Sequence, residues 1–257
     1  MKLKNLFVVF CLLMFVCFSA NSQVKKKSNQ KKVTRTIIDR NNISPMPEIK
    51  DFAFVVEIDK DANIILRIQN SEDSEYLSNK SLTDFFSEFS RVQNTKIPNK
   101  TQNLLDPIII IKADSSLKYG DIIKVIQSSR ISYTQKIYLQ ISQGLYVVVP
   151  PRIEDTVILK PNPNFLLVNL RKDSKIQLNQ EDVGDFENTS PLREILVKIF
   201  KDRYNFGVLR EGTNEVEKTV VVKAPLSVKF SDVIRLIQSV AETGASPIGL
   251  QVDDLEE

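Results

Sequence analysis

Residues 108–141, IIIIKADSSLKYGDIIKVIQSSRISYTQKIYLQI, align without a gap with residues 219–252, TVVVKAPLSVKFSDVIRLIQSVAETGASPIGLQV, and 12 of the 34 positions are identical at a constant offset of 111. A chain of 257 residues that repeats itself at this distance is one unit written twice. A period of roughly 100 residues is a whole small domain, well beyond the ~20–50 residues of solenoid units. Two modest cores are therefore expected in place of one large one.

Each copy opens with the same pattern. Val55–Ile58 reads as a short strand, Asp59-Lys60-Asp61-Ala62-Asn63 supplies turn residues, and Ile64–Ile68 reads as the return strand. Leu166–Leu170, Arg171–Lys175 and Ile176–Leu178 repeat this hairpin. A helix follows in each copy. Ser81 is placed to cap the first, with Leu82, Phe85, Phe86, Phe89 and Val92 on one face. In the second, Ser190 is the expected cap and Pro191 suits the first helical position. Leu192, Ile195, Leu196, Ile199 and Phe200 then form the stripe. The repeated segment itself reads strand, helix, strand: Ile108–Ala113, Gly120–Arg130 and Ile137–Ile141, then Val220–Ala224, Ser231–Val240 and Ile248–Val252. Pro150, Pro151, Pro161 and Pro163 mark an extended connection between the copies.

The N-terminus differs from the rest. Lys2 and Lys4 precede an unbroken apolar run from Leu6 to Phe18, and the small residues Ser19, Ala20 and Ser22 follow. This is the layout of a secretory signal peptide cleaved after Ser22, and the run is short of the ~20 residues a spanning helix needs. An uncleaved membrane anchor is the alternative, and the six basic residues between Lys25 and Arg35 cut against export, because positive charge just beyond an apolar segment resists translocation. Both cysteines, Cys11 and Cys17, lie in the apolar run, so the exported chain would hold neither thiol nor disulfide. The polar, basic stretch after it cannot bury enough surface to fold and reads as a tether, with contact to anionic lipid or wall polymer as the sharper alternative. Residues 1–40 carry nine Lys/Arg and one acid, whereas residues 41–257 carry 26 basic and 31 acidic residues. The acidic balance of the folded part argues against nucleic acid as a partner.

Enzymatic constellations are sparse. With no histidine there is no Ser-His or Cys-His pair and no His-ligated zinc, and the seven glycines form neither GxGxxG nor a phosphate loop. Asp59-x-Asp61-x-Asn63 resembles the opening of a calcium loop, but Ile64 stands where glycine is needed, so it reads as a turn. No cofactor, metal or catalytic residue is expected.

A hairpin with an acid-rich turn, an amphipathic helix, then a strand running into Ala113-Asp114-x-x-Leu117-x-Tyr119 and a helix closing on Arg130 resembles the periplasmic domain of the ExbD/TolR family. The second copy matches through Ala224, Val228, Phe230, Gly244, Ile248, Gly249 and Leu250. The copies keep different halves of the pattern: Asp114 is replaced by Pro225 and Arg130 by Ala241. The resemblance implies an α+β fold of two tandem ExbD/TolR-like modules, each a mixed four-stranded sheet with two helices packed on it.

The expected organisation is a signal peptide (1–22), a basic flexible tether (23–47), module 1 (48–143), a proline-rich linker (144–163) and module 2 (164–257). The resemblance makes Asp114, Tyr119, Arg130 and Phe230 candidate partner-binding residues, although Tyr119 and Phe230 also read as aromatics plugging the gap between strand end and helix start. It implies a non-catalytic periplasmic protein accessory to proton-motive-force-driven biopolymer transport, binding an envelope protein of TonB/Tol type or peptidoglycan, with the modules paired as an intramolecular pseudo-dimer. Family motor subunits carry a membrane aspartate for proton flow. Residues 1–23 contain no Asp or Glu, so this chain is not expected to relay protons. The alternatives are an inner-membrane-anchored subunit with an ExbB/TolQ-like channel partner and, more remotely, a wall-active hydrolase.

Overall fold

The computed structural model describes residues 53–69, 71, 74–95, 108–130, 136–151 and 162–256. The expected signal peptide and tether, and linker residues 152–161, lie outside the described residues. Among the described residues, no helix is long and apolar enough to cross a membrane.

The first half contains β1 (Ala53–Ile58), β2 (Ile64–Ile68), β3 (Ser74–Leu77), α1 (Asn79–Thr95), β4 (Ile108–Ala113), α2 (Tyr119–Ser129) and β5 (Lys136–Ser142). After β6 (Leu145–Val149), the second half repeats the plan as β7 (Leu166–Leu170), β8 (Lys175–Leu178), β9 (Glu181–Asp185), α3 (Ser190–Asn205), β10 (Val220–Lys223), α4 (Phe230–Ala241) and β11 (Ile248–Leu250). The α+β class holds. The expectation of two four-stranded modules does not: all eleven strands join one sheet, ordered β3-β2-β1-β4-β5-β6-β11-β10-β7-β8-β9.

Two features produce the difference. Each half adds a short outer strand, β3 or β9, paired antiparallel to its hairpin. The chain after β5 turns at Gly144, whose φ of +83° suits a residue without a Cβ, and returns as β6. Residues 145–149 were expected to belong to the linker, but β6 lies at the centre of the sheet, antiparallel to β5 and parallel to β11. It therefore seals the two inner edges that would otherwise present unpaired backbone. Since β1, β4 and β5 are mutually parallel, as are β7, β10 and β11, the halves run in opposite directions.

Register shows where the core sits. Val56 pairs with Leu66 and Ile111, Ile111 with Leu139, Leu139 with Val147, and beyond the β6–β11 junction Leu250 pairs with Val222 and Val222 with Val168. All of these are buried and share one face, because side chains alternate along a strand. On this face Phe54 meets Phe85, Phe86 and Phe89 of α1 edge-on, at centroid distances of 5.3–5.5 Å. Val55, Ile110 and Tyr138, of opposite parity, are buried as well, as central parallel strands require.

The helix starts differ from expectation by one turn or less. Ser78, rather than Ser81, caps α1: its hydroxyl accepts the Ser81 amide at 3.1 Å. Ser190 is the first residue of α3 and supplies no cap, since Thr189 holds that position without a capping side-chain bond and the Ser190 amide donates to the Asn188 side chain. The side chain of Val92 lies outside the described residues.

Candidate functional site

Neither α2 nor α4 has a side-chain N-cap; Lys118 and Lys229 occupy the cap positions. The first amides of each helix are instead satisfied by the other half. Tyr119 and Gly120 donate to the carbonyls of Val228 (2.8 Å) and Leu226 (2.9 Å), and Phe230 and Ser231 donate to Leu117 (2.8 Å) and Ser115 (2.9 Å). Lys118 and Lys229 face each other across this antiparallel bridge. The repeat exchanges the two sets of bonds: 119 is equivalent to 230 and 228 to 117, so the Tyr119–Val228 bond corresponds to Phe230–Leu117, and likewise Gly120–Leu226 corresponds to Ser231–Ser115. The contact is thus isologous, the form a two-fold dimer interface takes, but within one chain. Each helix requires the other half to satisfy amides that helix geometry leaves open.

Close approach requires a small residue here. A Cβ on Gly120 would lie 3.0 Å from the Leu226 carbonyl oxygen and 3.3 Å from the Leu226 Cβ.

The four candidate residues do not form one site. Tyr119 and Phe230 come together at the pseudo-two-fold through their backbones, but both are wholly buried and present no surface. The Tyr119 hydroxyl has no hydrogen-bond partner among the described residues, and burial pushes its pKa up. Asp114 is at the surface at the end of β4. Its carboxylate accepts the Ser116 hydroxyl (2.6 Å) and amide (2.9 Å), and these bonds, the hydroxyl first, hold its pKa below the usual carboxylate range. Asp59 does the same in the neighbouring turn, accepting the Asn63 side chain and the Asn63 and Asp61 amides at 2.9 Å. Both acids are spent on turn geometry.

Arg130 ends α2 and is 4% exposed. Its guanidinium grips Asp253 in a fork, at 2.8 and 3.0 Å, and donates to the Pro151 carbonyl at 3.0 Å. The Gln127 side chain reaches the Val252 carbonyl at 3.4 Å, and the Leu226 amide donates to the Glu256 carbonyl at 2.8 Å. The segment Gln251–Glu256 therefore lies along α2 of the other half. Beside it is a groove of about 470 Å³, with Ile123, Leu226 and Leu255 among its apolar walls and Lys118 and Lys124 among its polar ones. Sequence reasoning did not find Asp253: it stands 123 positions from Arg130, at a distance where no periodicity operates.

Two further arginines fasten the second half internally. Buried Arg210 binds Glu215 and the Ser246 carbonyl, and Arg203 donates to the Glu217 and Asn164 carbonyls. The outermost described strands differ: β9 carries Glu181, Asp182 and Asp185 and pairs with a register shift, whereas β3 pairs regularly and shows Tyr76 to solvent. No group of acids, cysteines or histidines among the described residues could hold a metal ion.

Neither a family model nor a curated protein sequence matches this chain.

Proposed function

We propose that the chain is a non-catalytic interaction protein of the cell envelope, accessory to proton-motive-force-driven transport of the TonB/Tol type, in which the halves work as an intramolecular pseudo-dimer. The observation that carries the reading is the offset-related pairing of residues 115–120 with 226–231: it makes a built-in pair from a repeat whose sequence resembles the ExbD/TolR periplasmic domain. The partner is an envelope protein of TonB or Tol type, or peptidoglycan. Strand addition suits the β3 edge, which is regular and little charged, better than the acidic, kinked β9 edge.

A pull-down from envelope extract, run beside sedimentation with peptidoglycan, tests this. Capture of one envelope protein, or co-sedimentation, is the expected result. Failure of both in the full chain removes the reading. The second reading, an anchored subunit working with an ExbB/TolQ-like channel, rests on the apolar run from Leu6 to Phe18 remaining uncleaved. Mass spectrometry of the mature N-terminus separates the two, since a start near Gln23 is incompatible with the anchor.

A further inference from the structure

The end of α2 holds the strongest unassigned feature. Arg130 is nearly inaccessible, has no equivalent in the second half, where Ala241 stands, and is directed at a segment that is itself largely at the surface: Asp253 is 58% exposed and Asp254 and Glu256 are exposed. The contacts made by that segment describe a way of reading a peptide. A carboxylate enters the guanidinium fork, the preceding carbonyl accepts from Gln127, an aliphatic side chain lies in the groove wall, and a carbonyl three residues further on accepts the Leu226 amide. The fork geometry selects a carboxylate over a lone acceptor. Lys118, with no ion pair among the described residues, adds positive charge to the same groove, whereas the charge of Lys124 is balanced by Asp121, which also lines it.

The segment holds this position at a cost. Asp254 has φ of +57°, in the left-handed region, which aspartate enters more readily than most residues with a Cβ but less readily than glycine.

We propose that the Arg130 end of α2, with the adjoining groove, is a docking site for an acidic, aliphatic peptide segment of another protein, and that residues 252–256, Val-Asp-Asp-Leu-Glu, occupy it in cis. This deepens the interaction reading above and rests on it only in taking the ligand to be a protein segment. A segment tethered beside its own site competes at an effective concentration in the millimolar range, so an external peptide is masked unless the cis contact is weakened.

The test is a fluorescence-anisotropy titration of the full chain with a labelled Leu-Gln-Val-Asp-Asp-Leu-Glu-Glu peptide. Asp253→Asn, which frees the guanidinium, is expected to bind roughly tenfold or more tighter than the unaltered chain. Adding Arg130→Met should abolish that gain, and a peptide with Asn at both Asp positions should not bind. Asp254→Gly, which relaxes the cis segment, should bind more weakly than the unaltered chain. Equal binding by the unaltered chain and Asp253→Asn, or retention of the gain after Arg130→Met, overturns the proposal. If Asp253→Asn does not fold, the Asp254→Gly comparison decides, and equal binding there overturns it. A failed titration with a successful envelope pull-down removes this site and leaves the wider reading standing; the reverse outcome leaves the site and removes the envelope partner.

Discussion

Arg130 and Asp253 form a two-bond ion pair between the end of α2 and the segment after β11, in which the arginine is buried and the aspartate is mostly in water. The partners are therefore unequal. Removing the aspartate leaves a buried cation whose Nε already lacks a partner among the described residues, whereas removing the arginine leaves an acid that water can solvate. Asp253→Ala is expected to cost about 1–3 kcal/mol, and Arg130→Met, which keeps the buried stem, clearly less. Urea unfolding of both variants checks the order, and a larger loss for Arg130→Met would contradict it.

At the pseudo-two-fold the two halves supply different aromatics, Tyr119 and Phe230. The Tyr119 hydroxyl is buried without a partner among the described residues, so Tyr119→Phe removes an unsatisfied group and makes the halves alike at this position. The variant is expected to be more stable by about 1 kcal/mol, with no change in secondary structure by circular dichroism. The pH dependence follows in sign. Burial raises the folded pKa above the unfolded one, so the phenol's contribution is complete below the unfolded value near ~10 and lost as pH rises beyond it. Tyr119→Phe should accordingly flatten the alkaline limb of a melting-temperature profile.

The acid limb has its own markers. Asp59 and Asp114 have lowered pKa values because turn hydroxyl, amide and backbone groups hold the ionised form. Their contribution is present above the unfolded carboxylate value and disappears as pH falls through the folded one. Both carboxylates are at the surface, so Asp59→Asn and Asp114→Asn should each shift the acid midpoint only slightly. A large shift in either would mean that the turn does more than position the strand ends.

Much of each half was legible because its signals are local. The β-branched run at Ile108–Ile111 and the stripe Leu82, Phe85, Phe86, Phe89 fix a strand and a helix from their own residues, and the repeat places the same elements again. The merged sheet was not legible, since edge pairing is decided by residues far apart in the chain. β6 did leave a trace: Leu145-Tyr146-Val147-Val148-Val149 is a strand-forming run opened by a glycine turn and closed by Pro150, outweighed by the prolines that follow. Tyr119 and Phe230 were legible as strand-to-helix plugs but not as neighbours across a pseudo-two-fold. The pairing of Arg130 with Asp253 joins parts of the chain that are not repeat equivalents.

Phe54 offers a test of the first core. Its ring makes edge-on contacts with three phenylalanines of α1, so truncation removes a large buried surface and leaves a cavity that those rings cannot all close. Phe54→Ala is expected to cost about 3–5 kcal/mol, and Phe54→Leu less than half of that. If Phe54→Ala unfolds like the parent chain in urea, α1 is not held to the sheet through this cluster.

The halves can be probed separately from their cores through Gly120. Its backbone is ordinary, so any substitution penalty comes from proximity to Leu226 and not from φ. The atoms that a new Cβ would meet are the carbonyl oxygen and Cβ of Leu226, and the oxygen accepts the Gly120 amide itself. Moving Leu226 away to relieve the clash therefore also lengthens that hydrogen bond. Gly120→Ala is expected to destabilise by about 1–3 kcal/mol, although alanine is the better helix former by about 1 kcal/mol. Ser231→Ala, at the equivalent position, keeps its amide bond to Ser115 and should be near neutral. Hydrogen exchange adds the decisive readout: Gly120→Ala should lose protection at Tyr119, Gly120, Phe230 and Ser231 together, because one antiparallel pairing holds all four amides. Loss confined to residues 119–120 would show that the halves cap their helices independently, and the reciprocal arrangement would have to be given up.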